Sequence, residues 1–291
     1  MLEIKYLDYE QMEDNYLDEM IQNEAINQLI IGNIIYTKKS ILKNKELDER
    51  NIFGVILDDN KVLYFFCNFL PYNLVLTPNG DIDDELEKKC AELFVKSLFD
   101  NNIFINGIQS TNTFCDYFIE YYPGEFELRQ AMDIMYCDSV NDYPLSGIIR
   151  LANEDDMDEI VKMWLGFQED ALNIQEDYEK GKEKFLIRFS DPDCLTWIYE
   201  VNDKIVGMNG STRKLPHGRS IAYVYIKPEE RLKGYCKEMI STCTKYYLDN
   251  GNDYTCLYVD KNNPYSNASY LAVGYKYLKP MYSYDLIRSI I

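Results

Sequence analysis

Residues 224–239 read Val224-Tyr225-Ile226-Lys227-Pro228-Glu229-Glu230-Arg231-Leu232-Lys233-Gly234-Tyr235-Cys236-Lys237-Glu238-Met239. A β-branched and aromatic run stops at a proline, which has no N–H to give a strand ladder. A helical pattern starts directly after Gly234. Amides in the first turn of a helix lack partners inside it and carry partial positive charge, so this junction suits a pyrophosphate. Gly234 lets ligand oxygens come close to the backbone. Arg231, Lys233 and Lys237 gather positive charge in a chain whose formal net charge is −19. Taken alone, these residues are read more simply as a solvated strand-to-helix loop with ordinary surface charge.

The spacing points further. Arg231-x-x-Gly234-x-Cys236 resembles the R/Q-x-x-G-x-G/A acyl-CoA motif of the GNAT superfamily of N-acetyltransferases. Ile149-Arg150-Leu151-Ala152, followed by Asp156-Met157, resembles that family's opening strand and helix. Asn263, Ser266, Tyr270, Gly274 and Tyr275 fall at the spacing of its N-x-x-A-x-x-x-Y-x-x-x-G-F segment. The resemblance spans about residues 147–287. Cys236 departs from it, standing where Gly or Ala is usual, and a larger side chain there would crowd the phosphate loop.

The resemblance implies acetyl-CoA as cosubstrate, with no metal. Backbone groups of Val224, Tyr225 and Ile226 would then bind the pantetheine arm. The amides of Leu232, Lys233, Gly234, Tyr235, Cys236 and Lys237, with Arg231 opening the motif, would hold the pyrophosphate. Asn263 and Ser266 would lie against the cofactor, and Tyr270 would protonate the leaving thiolate. The reaction implied is direct attack of a primary amine, on a small molecule or a peptide, at the thioester. Tyr270 has a rival reading as a core aromatic. The general base stays open among Tyr223, Glu200, Asp260 and water, and a non-catalytic acyl-CoA-binding regulatory module is the alternative function.

The surrounding pattern predicts the elements that place these residues. Residues 148–152 read as a strand, and Asn153 caps a helix whose stripe is Met157, Ile160, Val161 and Trp164. A hairpin over 195–201 and 205–213 precedes the strand 221–227. A helix to about residue 248, a strand 254–260, a helix 265–273 and a hairpin around 277–287 follow. The first half runs in the same order: a strand 2–7, a helix from about residue 11 and a hairpin over 53–57 and 62–67. A strand 73–77, a helix 83–98, a strand 103–108, a helix 113–121 and strands near 126–136 complete it.

The halves also align by position. Pro78 and Pro228 are 150 positions apart, as are Gly124 and Gly274. That offset sets Asp81, Asp83, Asp84 and Glu85 opposite Arg231, Lys233, Gly234 and Tyr235, with Thr113 opposite Asn263 and Glu120 opposite Tyr270. Carboxylates at a helix N-terminus stabilise the helix and repel a phosphate. The expectation is an α/β chain of the α+β type with two tandem GNAT-like domains, each a mixed, mostly antiparallel sheet flanked by helices. Residues 1–143 form a degenerate copy without a working cofactor site, and residues 144–291 the catalytic domain.

Composition narrows the partners. Thirty Lys and Arg against forty-nine Asp and Glu argue against nucleic acid or an anionic membrane, and are compatible with a cationic amine. Eight cysteines without a C-x-x-C pair, and a single histidine, His217, argue against a metal site or a His-based triad. His217 sits in a Leu-Pro-His-Gly turn and reads as a surface residue. Buried, reduced thiols and the lack of an apolar span lead to a cytoplasmic expectation. The sequence leaves the acceptor and the oligomeric state unspecified.

Overall fold

In a computed structural model, residues 1–46 and 48–289 are described. The first half contains β1 (Leu2–Leu7), α1 (Tyr9–Ile21), α2 (Gln28–Leu42), β2 (Ile52–Asp58), β3 (Lys61–Asn68), β4 (Leu74–Pro78), α3 (Asp84–Asp100), β5 (Gly107–Ser110), α4 (Asn112–Tyr121) and β6 (Gly124–Cys137). The second contains β7 (Ile148–Leu151), α5 (Met157–Leu172), α6 (Tyr178–Phe189), β8 (Thr196–Val201), β9 (Lys204–Lys214), β10 (Gly218–Ile226), α7 (Tyr235–Asp249), β11 (Tyr254–Asp260), α8 (Pro264–Val273) and β12 (Lys276–Ser289).

Contacts divide the chain into two compact units, one made of Met1–Asp133 with the segment from Lys279 onward, the other of Ile134–Leu278. In the first unit β1, β2, β3 and β4 are antiparallel neighbours, and β4 runs parallel to β5 with Leu74 opposite Ile108. Tyr282 to Asp285 of β12 then pair antiparallel with Ser110 to Gly107 of β5. These hydrogen bonds give the last strand to the first unit, where a boundary at residue 143 would have kept it with the second. They also correct the expected hairpin around 277–287, which is one continuous strand. Phe66, Phe94, Phe114 and Phe118 pack between this sheet and helices α3 and α4.

In the second unit β7, β8, β9 and β10 are antiparallel and β10 runs parallel to β11. Both faces of this sheet are covered. Ile221 and Ile226 of β10 join Met239, Ile240 and Cys243 of α7 and Tyr270 and Val273 of α8. Ala222, Tyr223 and Tyr225 join Ile160, Val161 and Trp164 of α5 and Phe185 of α6. A strand buried on both faces reads as a nearly continuous apolar run, and residues 221–226 do. Asn153 and Asp156 form a reciprocal cap ahead of α5, with the Asn153 N–H donating to Asp156 at 2.8 Å.

The strand expected at 103–108 is shorter and later, Gly107–Ser110. All eight cysteines are free thiols. No helix among the described residues is long and apolar enough to cross a membrane.

Candidate functional site

β10 and β11 share three register pairs, Gly218 with Tyr254, Arg219 with Thr255 and Ser220 with Cys256, and then part. On its other edge β10 pairs with β9 through Ala222, breaks register, and resumes at Tyr225 opposite Met208. The break is a bulge, which bends a strand and re-aims its side chains. Tyr223 lies inside it with φ of 43°, a conformation bulky residues seldom adopt. Val224, Tyr225 and Ile226 therefore face the opening wedge with no β11 partner for their backbone groups.

Below the wedge a single 3-10 turn, Pro228–Glu230, leads to residues 231–234 and α7. Leu232 and Gly234 both have positive φ, 63° and 90°. Gly234 is the N-cap of α7 and supplies no capping side chain. The first amides to bond are those of Lys237 and Glu238, both to the Gly234 carbonyl, at 3.0 and 3.4 Å. Among the described residues, the amides of residues 232–236 donate to no backbone or side-chain acceptor. A row of such amides at the positive end of a fifteen-residue helix has the polarity to attract an anion.

The basic side chains here are positioned differently from the sequence expectation. Arg231 folds back, its Nε donating to the Ile226 carbonyl at 3.0 Å and its Nη2 to Asp170 at 2.5 Å. Its guanidinium lies 5.2 Å from the Tyr225 ring centre. It thus braces the strand end against the turn. Lys233 pairs with Glu230 at 2.6 Å, and Lys237 lies over the Tyr143 ring. What points outward from the turn is backbone N–H. The Cys236 thiol turns toward Ser269 on α8 and is pushed up to about 11 by burial, so it is a neutral packing group.

Asn263 and Tyr270 are placed by α8. The Asn263 side-chain Oδ1 accepts from the Ser266 N–H at 3.0 Å, capping the helix. Both the Asn263 Oδ1 and the Ser266 amide are thereby engaged, and among the described residues the Asn263 Nδ2 has no hydrogen-bond partner. Tyr270 is 6% exposed and, among the described residues, its hydroxyl has no hydrogen-bond partner. Burial, with the Cys236 thiol and Tyr275 beside it, raises its pKa well above the ordinary tyrosine value. The phenol keeps its proton, as a proton donor must.

The residues considered as a base are engaged elsewhere. Glu200 accepts from Arg150 at 2.5 Å. Asp260 is exposed and accepts from the Asn262 N–H at 2.8 Å. Tyr223 is hydrogen-bonded to Arg188, and burial pushes it up to about 12. His217 lies exposed in the β9–β10 turn. Sequence reasoning missed Arg188 and Arg213, because α6 was not recognised and because their meeting point depends on the β10 bulge.

The first unit repeats the order of elements, but its counterpart turn is built differently. β4 stays in register with β3 through Tyr64 and Pro78, with no bulge. At the start of α3 the Asp83 carboxylate occupies the Leu86 amide at 3.0 Å, and Asp84, Glu85 and Glu87 fill the first turn. Glu87 is buried, accepting from Tyr64 at 2.6 Å and Thr111 at 3.0 Å. Asp81 stands near Lys279, and Glu120 near Lys88. An anion approaching α3 meets carboxylates.

Residues 151–275 match the model of the Acetyltransferase (GNAT) family. Solved structures extend the likeness to nearly the whole chain. A Drosophila protein aligns with a TM-score of 0.65 at 11% identity, covering 98% of both chains. A GCN5-related N-acetyltransferase from Sphaerobacter thermophilus aligns at 0.57 and 12%, covering 100% of this chain and 97% of that one. An acetyltransferase from the GNAT family from Colwellia psychrerythraea aligns at 0.55 and 11%, covering 98% and 99%. At these identities the shared property is the fold. No curated protein matches the chain.

Proposed function

We propose that the GNAT domain at residues 151–275 is an acyltransferase that passes the acetyl group of acetyl-CoA to a primary amine of a small molecule or peptide. The observation that carries this reading is the wedge between β10 and β11 running directly into the unpaired amides of residues 232–236. An extended thioester arm in that wedge would hydrogen-bond the free edge of Val224, Tyr225 and Ile226. Its pyrophosphate would reach the N-terminus of α7, where Gly234 leaves the backbone open.

The chain's own groups divide the work. The amide row and the helix dipole hold the anionic end without spending a side-chain charge. The strand edge fixes the thioester against the acceptor, so that bond formation becomes effectively intramolecular. The amine attacks the carbonyl carbon, the C–S bond breaks, and the Tyr270 hydroxyl gives its proton to the departing sulfur. The amine enters neutral, the proton it sheds on bond formation passes to water, and water reprotonates the Tyr270 phenolate. Cytoplasmic action fits the eight free thiols.

The test is coenzyme A titration into the full chain by calorimetry, followed by thiol release from acetyl-CoA over an amine panel. Saturable binding with acceptor-dependent thiol release is expected. Absence of coenzyme A binding sinks the proposal, and binding without turnover across a broad panel reduces it to an acyl-CoA-binding module.

A further inference from the structure

On the α5–α6 face of the second unit, three polar side chains gather where β10 leaves β11. Arg188 comes from α6, Arg213 from β9, and Tyr223 from the β10 bulge, three residues beyond the last β10–β11 pair. Arg188 Nη1 donates to the Tyr223 hydroxyl, and its guanidinium carbon lies 4.9 Å from the ring centre. Arg213 Nη1 donates to Ser220 Oγ at 3.1 Å. Burial lowers the pKa of Arg213, and the neighbouring Arg188 acts in the same direction.

Two guanidiniums held around one neutral phenol are notable in a chain of net charge −19. Carboxylate is abundant, yet among the described residues Arg188 has none within ion-pair distance. On the adjoining loop, Asp191 accepts the Asp193 N–H at 3.0 Å, and Asp193 stands 3.8 Å from Lys214. The backbone independently marks the place. Tyr223 is held at φ 43°, which costs about 1–3 kcal/mol and persists where the surroundings enforce it. Gly210 across the ladder leaves room for the ring, since a Cβ there would stand 2.4 Å from it.

We propose that Arg188, Arg213 and the Tyr223 hydroxyl bind an anionic group, a carboxylate or a phosphate, carried by the amine acceptor; this rests on the acetyl-transfer reading above. Guanidinium forks match the planar oxygens of such groups in pairs, and the neutral phenol adds a donor. With the thioester in the wedge beside Tyr223, an anion on these residues holds an amine a few bonds away over the reacting carbon. The overall negative charge then draws cationic amines toward the protein at a distance, while the local arginines choose the acceptor.

The experiment uses the full chain and acetyl-CoA with three matched acceptor series: amino acids, aminoalkyl phosphates and plain alkylamines of the same lengths. One anionic series is expected to exceed the alkylamines at least tenfold in kcat/KM, and which one identifies the anion. Arg188→Gln is expected to raise the KM of that series about 10- to 100-fold while the Kd for coenzyme A moves less than twofold, and Arg188→Lys to restore part of the loss. Alkylamines used as well as either anionic series, no anionic acceptor turned over, or an unchanged KM in Arg188→Gln each overturns the inference. Failure of the wild-type chain to bind coenzyme A is a separate result and strikes the acetyl-transfer reading instead.

Discussion

Tyr270→Phe separates a proton donor from a packing ring. The substitution removes one oxygen from α8 and keeps every ring contact, including the Tyr275 ring at 5.7 Å. The hydroxyl has no hydrogen bond to lose, so the folding free energy is expected to stay within about 0.5 kcal/mol of wild type. A positioned general acid contributes about 10²- to 10⁴-fold to rate. At 1.36 kcal/mol per tenfold, that is about 2.7–5.5 kcal/mol of barrier, several times the largest stability change expected. The two quantities therefore part company in one variant. Thermal and urea midpoints should coincide with wild type, coenzyme A affinity should hold within twofold, and kcat should fall at least 100-fold. Thiol release at saturating acetyl-CoA and acceptor reads kcat, and calorimetry reads the affinity. A kcat within threefold of wild type refutes the assignment and returns Tyr270 to the core.

Gly234→Val forces a β-branched residue into φ 90°, where only the Glu238 carboxylate, at 3.9 Å, comes near an added Cβ. The strain is about 1–2 kcal/mol and its relief turns the amide row, so the Kd for coenzyme A should rise about tenfold; an unchanged Kd in calorimetry argues against an amide cradle. Coenzyme A should bind with one equivalent per chain, because α3 begins among Asp83, Asp84, Glu85 and Glu87; two equivalents would show the first unit to be competent. Asp156 accepts from both Arg150 terminal nitrogens, at 2.7 and 2.8 Å, and the Arg150 hydrogen bonds hold its pKa below the usual carboxylate value. A depressed folded pKa adds stability above the unfolded value, near 3.9, that is lost as pH falls through the folded one. Asp156→Asn should cost about 1–3 kcal/mol at pH 7, discounted for the partly exposed Arg150, and less at pH 3; equal costs in urea melts at both pH values refute the linkage.

What could be read from the sequence follows from how locally each signal is written. β1 and β11 match their expected bounds, because β1 alternates apolar and charged residues, β11 is a short, mostly apolar run, and polar residues follow each. α1 starts two residues before its expected position, on the Asp8 cap that accepts from Gln11 at 2.8 Å. α2 and α6 went unseen for opposite reasons. α2 is apolar around most of its circumference and has no side-chain cap, while α6 buries only Gly181 and Phe185 and so shows no clear stripe. The residues of the turn at 231–236 were legible as a motif. That Arg231 and Lys233 are spent on Asp170 and Glu230 was not, because both pairings depend on the path of the turn. Nor could a sequence show Tyr223 meeting Arg188, 35 positions away, since one bulge decides which face Tyr223 takes.

The pairing of residues 282–285 with β5 also bears on the order in which the chain can fold as it is made. Residues 107–110 wait for a partner synthesised about 175 positions later, which at ~5–20 residues per second means a delay on the order of ten seconds or more. Throughout that interval β5 presents an unsatisfied edge, while residues 134–278 leave the ribosome in turn and complete their own strands before residues 282–285 arrive. The half that contains the turn at 231–236 is thus free to mature first, and the half that begins the chain is the last to be finished.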